Sequence, residues 1–215
     1  MNTLDKIITK FNLVANEKVK MPIELPDFGR DQLTYLFAEL GFNKGVEIGV
    51  RGGTYSRKLC EANPNLTLYG IDPYIAYDDY TDMKLRRTFN NFEQVAREEL
   101  EPFKSRYTFI KKFSSEAVKE FDDKSLDFAY LDGNHEFAYV TEDIHLWSKK
   151  IRPGGIIAGH DYFKHDPISG TKCHVYQVLN GYTEAHNIRP WFVLGNKAYI
   201  KGEVRDKPRS WMFII

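Results

Sequence analysis

Two stretches of this 215-residue chain place glycines and acids where a nucleoside could bind. An apolar run ends at Glu47 and is followed by the glycine-rich loop 49–53, and a second apolar run ends at Asp72. Glycines in such a loop let the backbone approach a ligand, and an acid about 20 residues further on can bind ribose hydroxyls. The order therefore predicts a nucleoside site built from strand, loop, helix and strand, although the loop lacks the full G-x-G-x-x-G pattern.

A second group of polar residues follows the later apolar runs of the chain. Asp132 and His135 come after the fourth run, and His160 and Asp161 come after the fifth. A histidine at the edge of a cleft can take a proton from a hydroxyl group near neutral pH. Two carboxylates and an imidazole can also hold a divalent cation. The alternatives are a hydrogen-bonded cluster lining the pocket and, for His135, a helix-capping role.

These residues must be positioned by elements that alternate between strand and helix patterns. The predicted strands are 46–48, 66–71, 107–110, 126–131 and 156–158, and the predicted helices are 31–40, 54–62, 89–100, 137–149 and 174–183. Such alternation predicts a parallel, doubly wound α/β sheet, in which ligands bind outside the carboxyl ends of the strands. Strand-like runs at 191–194, 198–201 and 211–215 predict an antiparallel hairpin at one edge.

Two segments do not fit this alternation. The stretch 74–88 is too long for a tight turn and is rich in Tyr and Asp, which is typical of a lid or binding loop. Residues 1–30 contain Pro22 and Pro26 and are predicted to form an N-terminal extension or second lid. Residues 31–215 would then form the main domain.

Composition excludes several classes of protein. The chain has 30 Lys+Arg and 30 Asp+Glu residues, and this zero net charge argues against nucleic-acid binding. We find neither a signal-length apolar segment nor a membrane span, so we expect a cytoplasmic protein without a membrane partner. Cys60 and Cys173 lack metal-type spacing and are interpreted as idle thiols in a reducing compartment.

The motifs resemble those of class I S-adenosylmethionine-dependent methyltransferases, and most closely the small bacterial branch similar to macrocin-type O-methyltransferases and cephalosporin-hydroxylase-like proteins. The resemblance runs from residue 33 to residue 215 and rests on VEIGVRGGTYS, YGIDPY, DFAYLDGNHEFAYVTEDIHLW, RPGGIIAGHDY and RSWMFII. It implies a Rossmann-like, doubly wound sheet of seven strands, mostly parallel, with helices on both faces. The last strand would be antiparallel between its neighbours.

The resemblance also implies a site for S-adenosylmethionine. The methionine and ribose part would be lined by Glu47, Gly49, Arg51, Gly52 and Gly53. The adenosine part would be held by Asp72 at the ribose hydroxyls, by Pro73 and Tyr74 against the adenine, and by Ser114 and Ser115 at its edge. Asp132 would face the amino-acid end of the cofactor or a metal ion.

The predicted reaction is methyl transfer from S-adenosylmethionine to a hydroxyl group of a small hydroxylated or sugar-like acceptor. We expect His135 to act as the base, with Asp132 and His160 as further catalytic residues. If Mg²⁺ takes part, Asp132, His160 and Asp161 would hold it. The acceptor is expected to be a small molecule, and the N-terminal segment could pack against a second copy in a homo-oligomer.

Three other functions explain parts of the sequence. An NAD-dependent oxidoreductase would share the glycine loop, but the full glycine motif and a Tyr-x-x-x-Lys pair are missing. A metal-dependent hydrolase could use the pairs His160-Asp161 and His165-Asp166, yet it would leave Asp72 and the glycine loop unused. A cofactor-binding protein without transfer activity would keep the fold and the nucleoside site.

Overall fold

The computed structural model describes residues 1–13, 19–75, 89–164, 172–196 and 207–215. Eight strands lie within these residues: Ile23–Leu25 (β1), Lys44–Ile48 (β2), Thr67–Ile71 (β3), Tyr107–Ile110 (β4), Leu126–Leu131 (β5), Ile151–Tyr162 (β6), Trp191–Leu194 (β7) and Arg209–Ile214 (β8). The helices are Thr3–Lys10 (α1), Arg30–Glu39 (α2), Thr54–Ala62 (α3), Phe89–Leu100 (α4), Ser114–Ala117 (α5), Phe137–Lys150 (α6) and Val175–Ala185 (α7).

All eight strands form one sheet in the order β1-β7-β8-β6-β5-β2-β3-β4. Neighbouring strands are parallel except at β8, which runs antiparallel to both β6 and β7. The doubly wound, mostly parallel sheet with an antiparallel last strand between its neighbours is therefore confirmed. No helix in the described part of the chain is long and apolar enough to cross a membrane.

Two features of the predicted sheet are wrong. The sheet has eight strands rather than seven, because residues 23–25 of the predicted N-terminal extension pair in parallel with β7. The antiparallel β7–β8 pair therefore does not form the edge, which belongs to β1. A three-residue strand behind Pro22 offers too little pattern to be read from sequence. The predicted strand at 198–201 lies outside the described residues.

The core explains why the strands are apolar almost throughout. Two hydrophobic clusters form, one on each face of the sheet, so both faces are covered by helices. Along β5, Phe128 and Tyr130 pack into one cluster, while Ala129 and Leu131 pack into the other. Parallel sheets with both faces covered are built from such continuous apolar runs.

The topology brings the predicted polar residues to one place. Strand β2 pairs with β3 on one side and with β5 on the other. The residues after β2 therefore lie between Asp72, which follows β3, and Asp132, which follows β5. The order of the strands in the sheet therefore switches sides at β2. Ligands bind at such a switch point in sheets of this kind.

Candidate active site

A cavity of about 860 Å³ opens at the carboxyl ends of β2, β3, β5 and β6. Nearly all of the predicted site residues line it: Glu47, Gly49, Arg51, Gly52, Asp72, Pro73, Tyr74, Ser114, Ser115, Asp132, His135, His160 and Asp161. The volume lies within the range of small-molecule and cofactor sites. The structure thus gathers residues from five loops into one cleft.

The three glycines of the loop after β2 serve different purposes. Gly49 has φ +91°, and a Cβ atom there would lie 2.1 Å from the carbonyl oxygen of Asp132. Only glycine fits this close approach. Gly52 is open, since its nearest atom would be 3.6 Å away on Val95. Gly53 has φ +79° and packs against Ala96 of α4, so it permits helix packing instead of lining the cavity.

Asp72 is held in a fixed orientation at the cavity wall. Its Oδ2 accepts a hydrogen bond from the backbone N–H of Arg51, and its Oδ1 accepts one from that of Tyr74, both at 2.9 Å. Burial raises the pKa of this carboxyl, while the backbone N–H groups oppose the shift. The N–H of Val50 adds a third backbone contact, and the carboxylate, with about four lone-pair sites, can still accept from a further donor. The guanidinium of Arg51 lies 5.0 Å from the ring centroid of Phe92, so this residue contributes its backbone N–H to the site.

Glu47 lies below the glycine loop and is almost fully buried. It accepts a hydrogen bond from the Ser56 hydroxyl of α3, and Ser56 is 2.9 Å from the phenol oxygen of Tyr107. Burial raises the pKa of Glu47 to about 8, against the opposing effects of Ser56 and Arg30. At neutral pH this carboxyl is therefore mostly protonated, and it can donate as well as accept a hydrogen bond.

The opposite wall carries Ser114 and a buried acid on α6. The Ser114 hydroxyl donates to Oδ1 of Asp143 at 2.5 Å and accepts from the indole N–H of Trp147 at 2.7 Å. Burial raises the pKa of Asp143 to about 7, and the hydrogen bond from Ser114 opposes the shift. On the same cavity, the Tyr74 hydroxyl is buried and has no hydrogen-bond partner among the described residues. This side therefore holds donors and acceptors suited to a planar base.

Four charged or titratable side chains meet after β5 and β6. Nε2 of His135 lies 3.1 Å from Oδ2 of Asp161 and 3.5 Å from Oδ1 of Asp132. Nδ1 of His160 lies 3.0 Å from the same Asp161 oxygen. Asp161 adopts the left-handed region with φ +61°. The His135 ring therefore faces the two carboxylates. It does not cap α6 at Phe137, because the N–H of Phe137 donates to Nδ1 of His174.

The charges of this cluster depend on one another. Burial disfavours the charged form of His135, but Asp132 and Asp161 attract it and raise its pKa well above its usual value. Burial likewise disfavours ionised Asp161, but His135 and His160 hold its pKa well below its usual range. Both directions favour a protonated His135 ring beside ionised Asp161.

Residues 46–162, more than half of the chain, match a family described as a methyltransferase domain. The chain belongs to this methyltransferase family. No protein of curated function matches the sequence significantly. The matched residues include the glycine loop, Asp72 and the cluster after β5 and β6, so most of the geometry described above lies within the matched region.

Solved structures show the same fold at low sequence identity. An O-methyltransferase from Bacillus cereus in complex with SAH has a TM-score of 0.57, with 15% identity over 99% of this chain and 90% of that one. A cofactor-bound protein from MTB has a TM-score of 0.58, with 14% identity over 99% and 89%. A protein from Staphylococcus aureus, provisionally assigned as a caffeoyl-CoA O-methyltransferase, has a TM-score of 0.58, with 11% identity over 99% and 90%.

The expected class I S-adenosylmethionine-dependent methyltransferase family is therefore confirmed, and the structural neighbours support its fold. Sequence identities this low are evidence for a shared fold only. The macrocin-type and cephalosporin-hydroxylase-like branch stays a prediction. The segment 76–88 of the predicted loop and the pair His165-Asp166 lie outside the described residues.

Three side chains of the methyltransferase form a possible metal-ligand set. Ligand atoms of Asp132, His135 and Asp161 lie within 4.8 Å of one another. Two carboxylates and an imidazole fit a divalent cation in charge and number, and the nitrogen donor suits Mn²⁺ or Fe²⁺ better than Mg²⁺, which prefers oxygen. His160 is not part of this set, although it lines the same cavity, and its Nδ1 lies 3.0 Å from Asp161 and 3.8 Å from Asp132.

Two residues of the site were missed in the sequence. Arg30, the first residue of α2, lies with its guanidinium 4.3 Å from the ring centroid of Tyr55, and its Nη2 is 3.3 Å from Oδ2 of Asp132. No sequence signal separates it from a surface arginine. Asp143 could have been found, because it falls on the apolar stripe of α6, between the buried Val140 and Trp147. An acid on such a stripe is unusual.

Proposed function

We propose that this methyltransferase transfers the methyl group of S-adenosylmethionine to a hydroxyl group of a small hydroxylated or sugar-like acceptor. One observation carries the proposal. A single cavity contains Asp72, fixed by two backbone N–H groups, and the cluster of His135 with Asp132 and Asp161. The first feature suits a nucleoside and the second suits a group that loses a proton.

The cofactor is proposed to lie along the carboxyl ends of β2, β3 and β5. Asp72 would accept hydrogen bonds from the ribose hydroxyls through the lone-pair sites that the backbone N–H groups leave open. Pro73, Tyr74, Ser114 and Ser115 would surround the adenine. The close contact of Gly49 with Asp132 would leave backbone surface for the methionine part.

The reaction needs alignment more than activation of the donor, because a sulfonium is a good leaving group. The acceptor oxygen attacks the methyl carbon as the carbon–sulfur bond breaks, in line with that bond. Holding the two reactants in such a geometry can lower a barrier by roughly 7–11 kcal/mol. In this proposal, the five loops that form the cavity walls hold the two reactants in that geometry.

His135 is the proposed base for the acceptor hydroxyl. Asp161 would orient its ring, and the Nδ1 of His160, 3.0 Å away, would hold the same Asp161 oxygen. Because the carboxylates raise the pKa of His135, the neutral imidazole that a base requires forms only at higher pH. We therefore expect the transfer rate to rise with pH through a pKa above the ordinary value of about 6.5.

A divalent cation is the alternative way to balance the two carboxylates. Asp132, His135 and Asp161 would hold it, and it would lower the pKa of a coordinated hydroxyl. His135 could then not serve as the base through the same nitrogen. Metal dependence, and the choice between Mg²⁺ and a transition metal, belong to this proposal.

One lid stays part of the proposal. The loop 74–88 would close over the acceptor, while the N-terminal segment, which contributes β1 to the sheet and buries Ile7 in the core, could pack against a second copy of the chain. Limited proteolysis with and without cofactor tests this closure. Unchanged cleavage within the loop would contradict it.

The decisive experiment is a calorimetric titration of S-adenosylhomocysteine into chelator-treated protein, repeated with Mg²⁺ and with Mn²⁺. We expect binding that Asp72→Ala abolishes, since the carboxylate that faces the ribose is removed. Asp123→Ala is the matched control, because Asp123 is exposed and pairs with Lys150 on the surface. An absence of binding to the wild-type protein in every buffer would refute the proposed function.

Activity is then measured as S-adenosylhomocysteine released with a panel of hydroxylated acceptors. Turnover with one acceptor class would support transfer. Cofactor binding without transfer to any acceptor would favour a non-catalytic relative. Stronger cofactor binding and faster turnover with Mn²⁺ than with chelator would favour the metal over the His135 base.

A further inference from the structure

A second cavity, of about 500 Å³, lies beside β1 and the end of β6. Its lining includes Lys20, Glu24, Tyr162, Lys164, Asn180 and Arg209. It shares no lining residue with the first cavity. The two nevertheless adjoin, because Asp161 lines the first and the next residue of β6, Tyr162, lines the second.

Arg209 is the unusual residue of this second cavity. It is the first residue of β8, and its side chain is only 11% exposed. Nη1 lies 3.2 Å from Oε1 of Glu24, and the Nε–H donates to the carbonyl oxygen of Leu194 at 3.4 Å. Nη2 is buried and has no hydrogen-bond partner among the described residues. A buried guanidinium nitrogen without an acceptor is costly, so its retention calls for an explanation.

The charges around Arg209 favour an anion. Lys20 and Lys164 line the same cavity, and Glu24 is the carboxylate among the described lining residues. The described lining therefore has three cationic side chains and one carboxylate, which gives the cavity a net positive charge. The hydroxyl of Tyr162 accepts a hydrogen bond from the Asn180 amide at 3.1 Å, so its own proton stays available to a ligand.

We propose that the cavity around Arg209 binds a carboxylate or phosphate group. The unpartnered Nη2 supplies a hydrogen bond from a planar guanidinium, the geometry that recognises such oxyanions. Lys20, Lys164 and the Tyr162 hydroxyl supply further donors. The anionic group is either a substituent of the methyl acceptor, reaching across from the first cavity, or a separate small anion.

The site is tested by titrating inorganic phosphate into the full-length protein at constant ionic strength, with calorimetry and thermal unfolding as readouts. We expect Arg209→Lys to weaken phosphate binding about tenfold, since it keeps the charge but loses the Nη2 donor. Lys164→Gln should weaken it about two- to fivefold. Lys104→Gln is the control, because Lys104 is an exposed lysine after α4.

Glu24→Gln separates the proposed site from a purely structural ion pair. If Arg209 only ties β1 to β8, this variant loses stability and leaves phosphate affinity unchanged. If the cavity binds an anion, removing the repelling carboxylate strengthens phosphate binding about two- to fivefold. Equal phosphate affinity in the wild type, Glu24→Gln, Lys164→Gln and Arg209→Lys would overturn the proposal, whether or not methyl transfer is found.

The source of the anion is decided with paired acceptors that differ only in charge, such as glucose with its 6-phosphate and catechol with 3,4-dihydroxybenzoate. A preference for the anionic member in the wild type, lost in Arg209→Lys, assigns the cavity to the acceptor. Phosphate binding without such a preference assigns it to a separate anion. Both results retain the anion site, and only the phosphate titration can remove it.

Discussion

The two halves of the main cavity are held in place by different interactions. In the half after β2 and β3, Asp72 is fixed by backbone N–H groups, and Gly49 is held by its own N–H, which donates to the carbonyl oxygen of Ile71 at 2.9 Å. In the half after β5 and β6, His135 and Asp161 hold each other by charge, at 3.1 Å. Backbone geometry sets the arrangement of the first half, whereas the protonation state of the side chains sets the arrangement of the second.

This difference predicts how each half responds to change. Backbone hydrogen bonds do not titrate, so the proposed ribose site should keep its shape over a wide range of pH. The cluster of His135, Asp132 and Asp161 needs one positive charge to balance two carboxylates, either a proton on the ring or a bound cation. Its geometry should therefore follow pH and metal, while the backbone N–H donors that hold Asp72 do not change with pH.

The largest expected effect comes from Gly49→Ala, which should break both halves at once. The new Cβ would lie 2.1 Å from the Asp132 carbonyl oxygen, and the residue would have to adopt φ +91°. Overpacking and the left-handed backbone together are expected to cost about 2–5 kcal/mol. Chemical denaturation and titration of S-adenosylhomocysteine measure the loss of stability and of binding.

Gly52→Ala is the matched control in the same loop. Its Cβ would meet Val95 at an ordinary distance of 3.6 Å, so stability should change little. Equal losses in the two variants would mean that the loop as a whole, and not the approach at Gly49, determines the geometry.

His135→Gln should separate the halves. Cofactor affinity is expected to stay near the wild-type value, while methyl transfer falls about 100- to 10,000-fold with the loss of the base. His145→Gln provides the control, since His145 is an exposed histidine on α6. A parallel loss of affinity and rate would show that the halves are not independent.

The same variant, His135→Gln, should also change how the stability of the protein depends on pH. The folded protein raises the pKa of His135, so the imidazolium contributes stability that is fully present below about pH 6.5. That contribution is lost as the pH rises through the folded value. Thermal unfolding of wild type and His135→Gln should therefore diverge at low pH and converge at high pH.

The smallest expected effect comes from Asp143, a titrating side chain on the proposed adenine side of the nucleoside half. Burial raises the pKa of Asp143 to about 7, so its neutral form stabilises the fold below about pH 4, and this contribution disappears as the pH rises through 7. Asp143→Asn removes the titration, and its melting temperature relative to wild type should rise by a few degrees between pH 5 and 8. A constant difference over that range would place Asp143 outside the titrating groups.

Much of the fold could be predicted from the sequence because its signals are local. Each parallel strand except β1 contains an apolar run that the sequence shows, and the predicted bounds of β4, β5 and β7 agree with the structure. Asp72 was recognised by its distance along the chain from the glycine loop. The strand β1 was missed because three residues carry no period, and its pairing with β7 joins positions about 170 residues apart.

The residues of the cluster were also visible in the sequence, but their arrangement was not. The pattern placed Asp132, His160 and Asp161 together as metal ligands, whereas the structure groups His135 with the two carboxylates. The left-handed backbone of Asp161 directs its side chain, and although aspartate tolerates this conformation better than most residues, it adopts it too rarely for the sequence to predict it.

The sequence by itself determined the alternation of strands and helices, the nucleoside site after β2 and β3, and the family of the protein, because these depend on residues close together in the chain. The tertiary structure decided the rest: that Asp132 and Asp161 share His135, that Arg30 pairs with Asp132, and that Arg209 is buried with one nitrogen that has no partner in the described part of the chain. Charges interact through space over a few ångströms, and only the folded chain sets those distances.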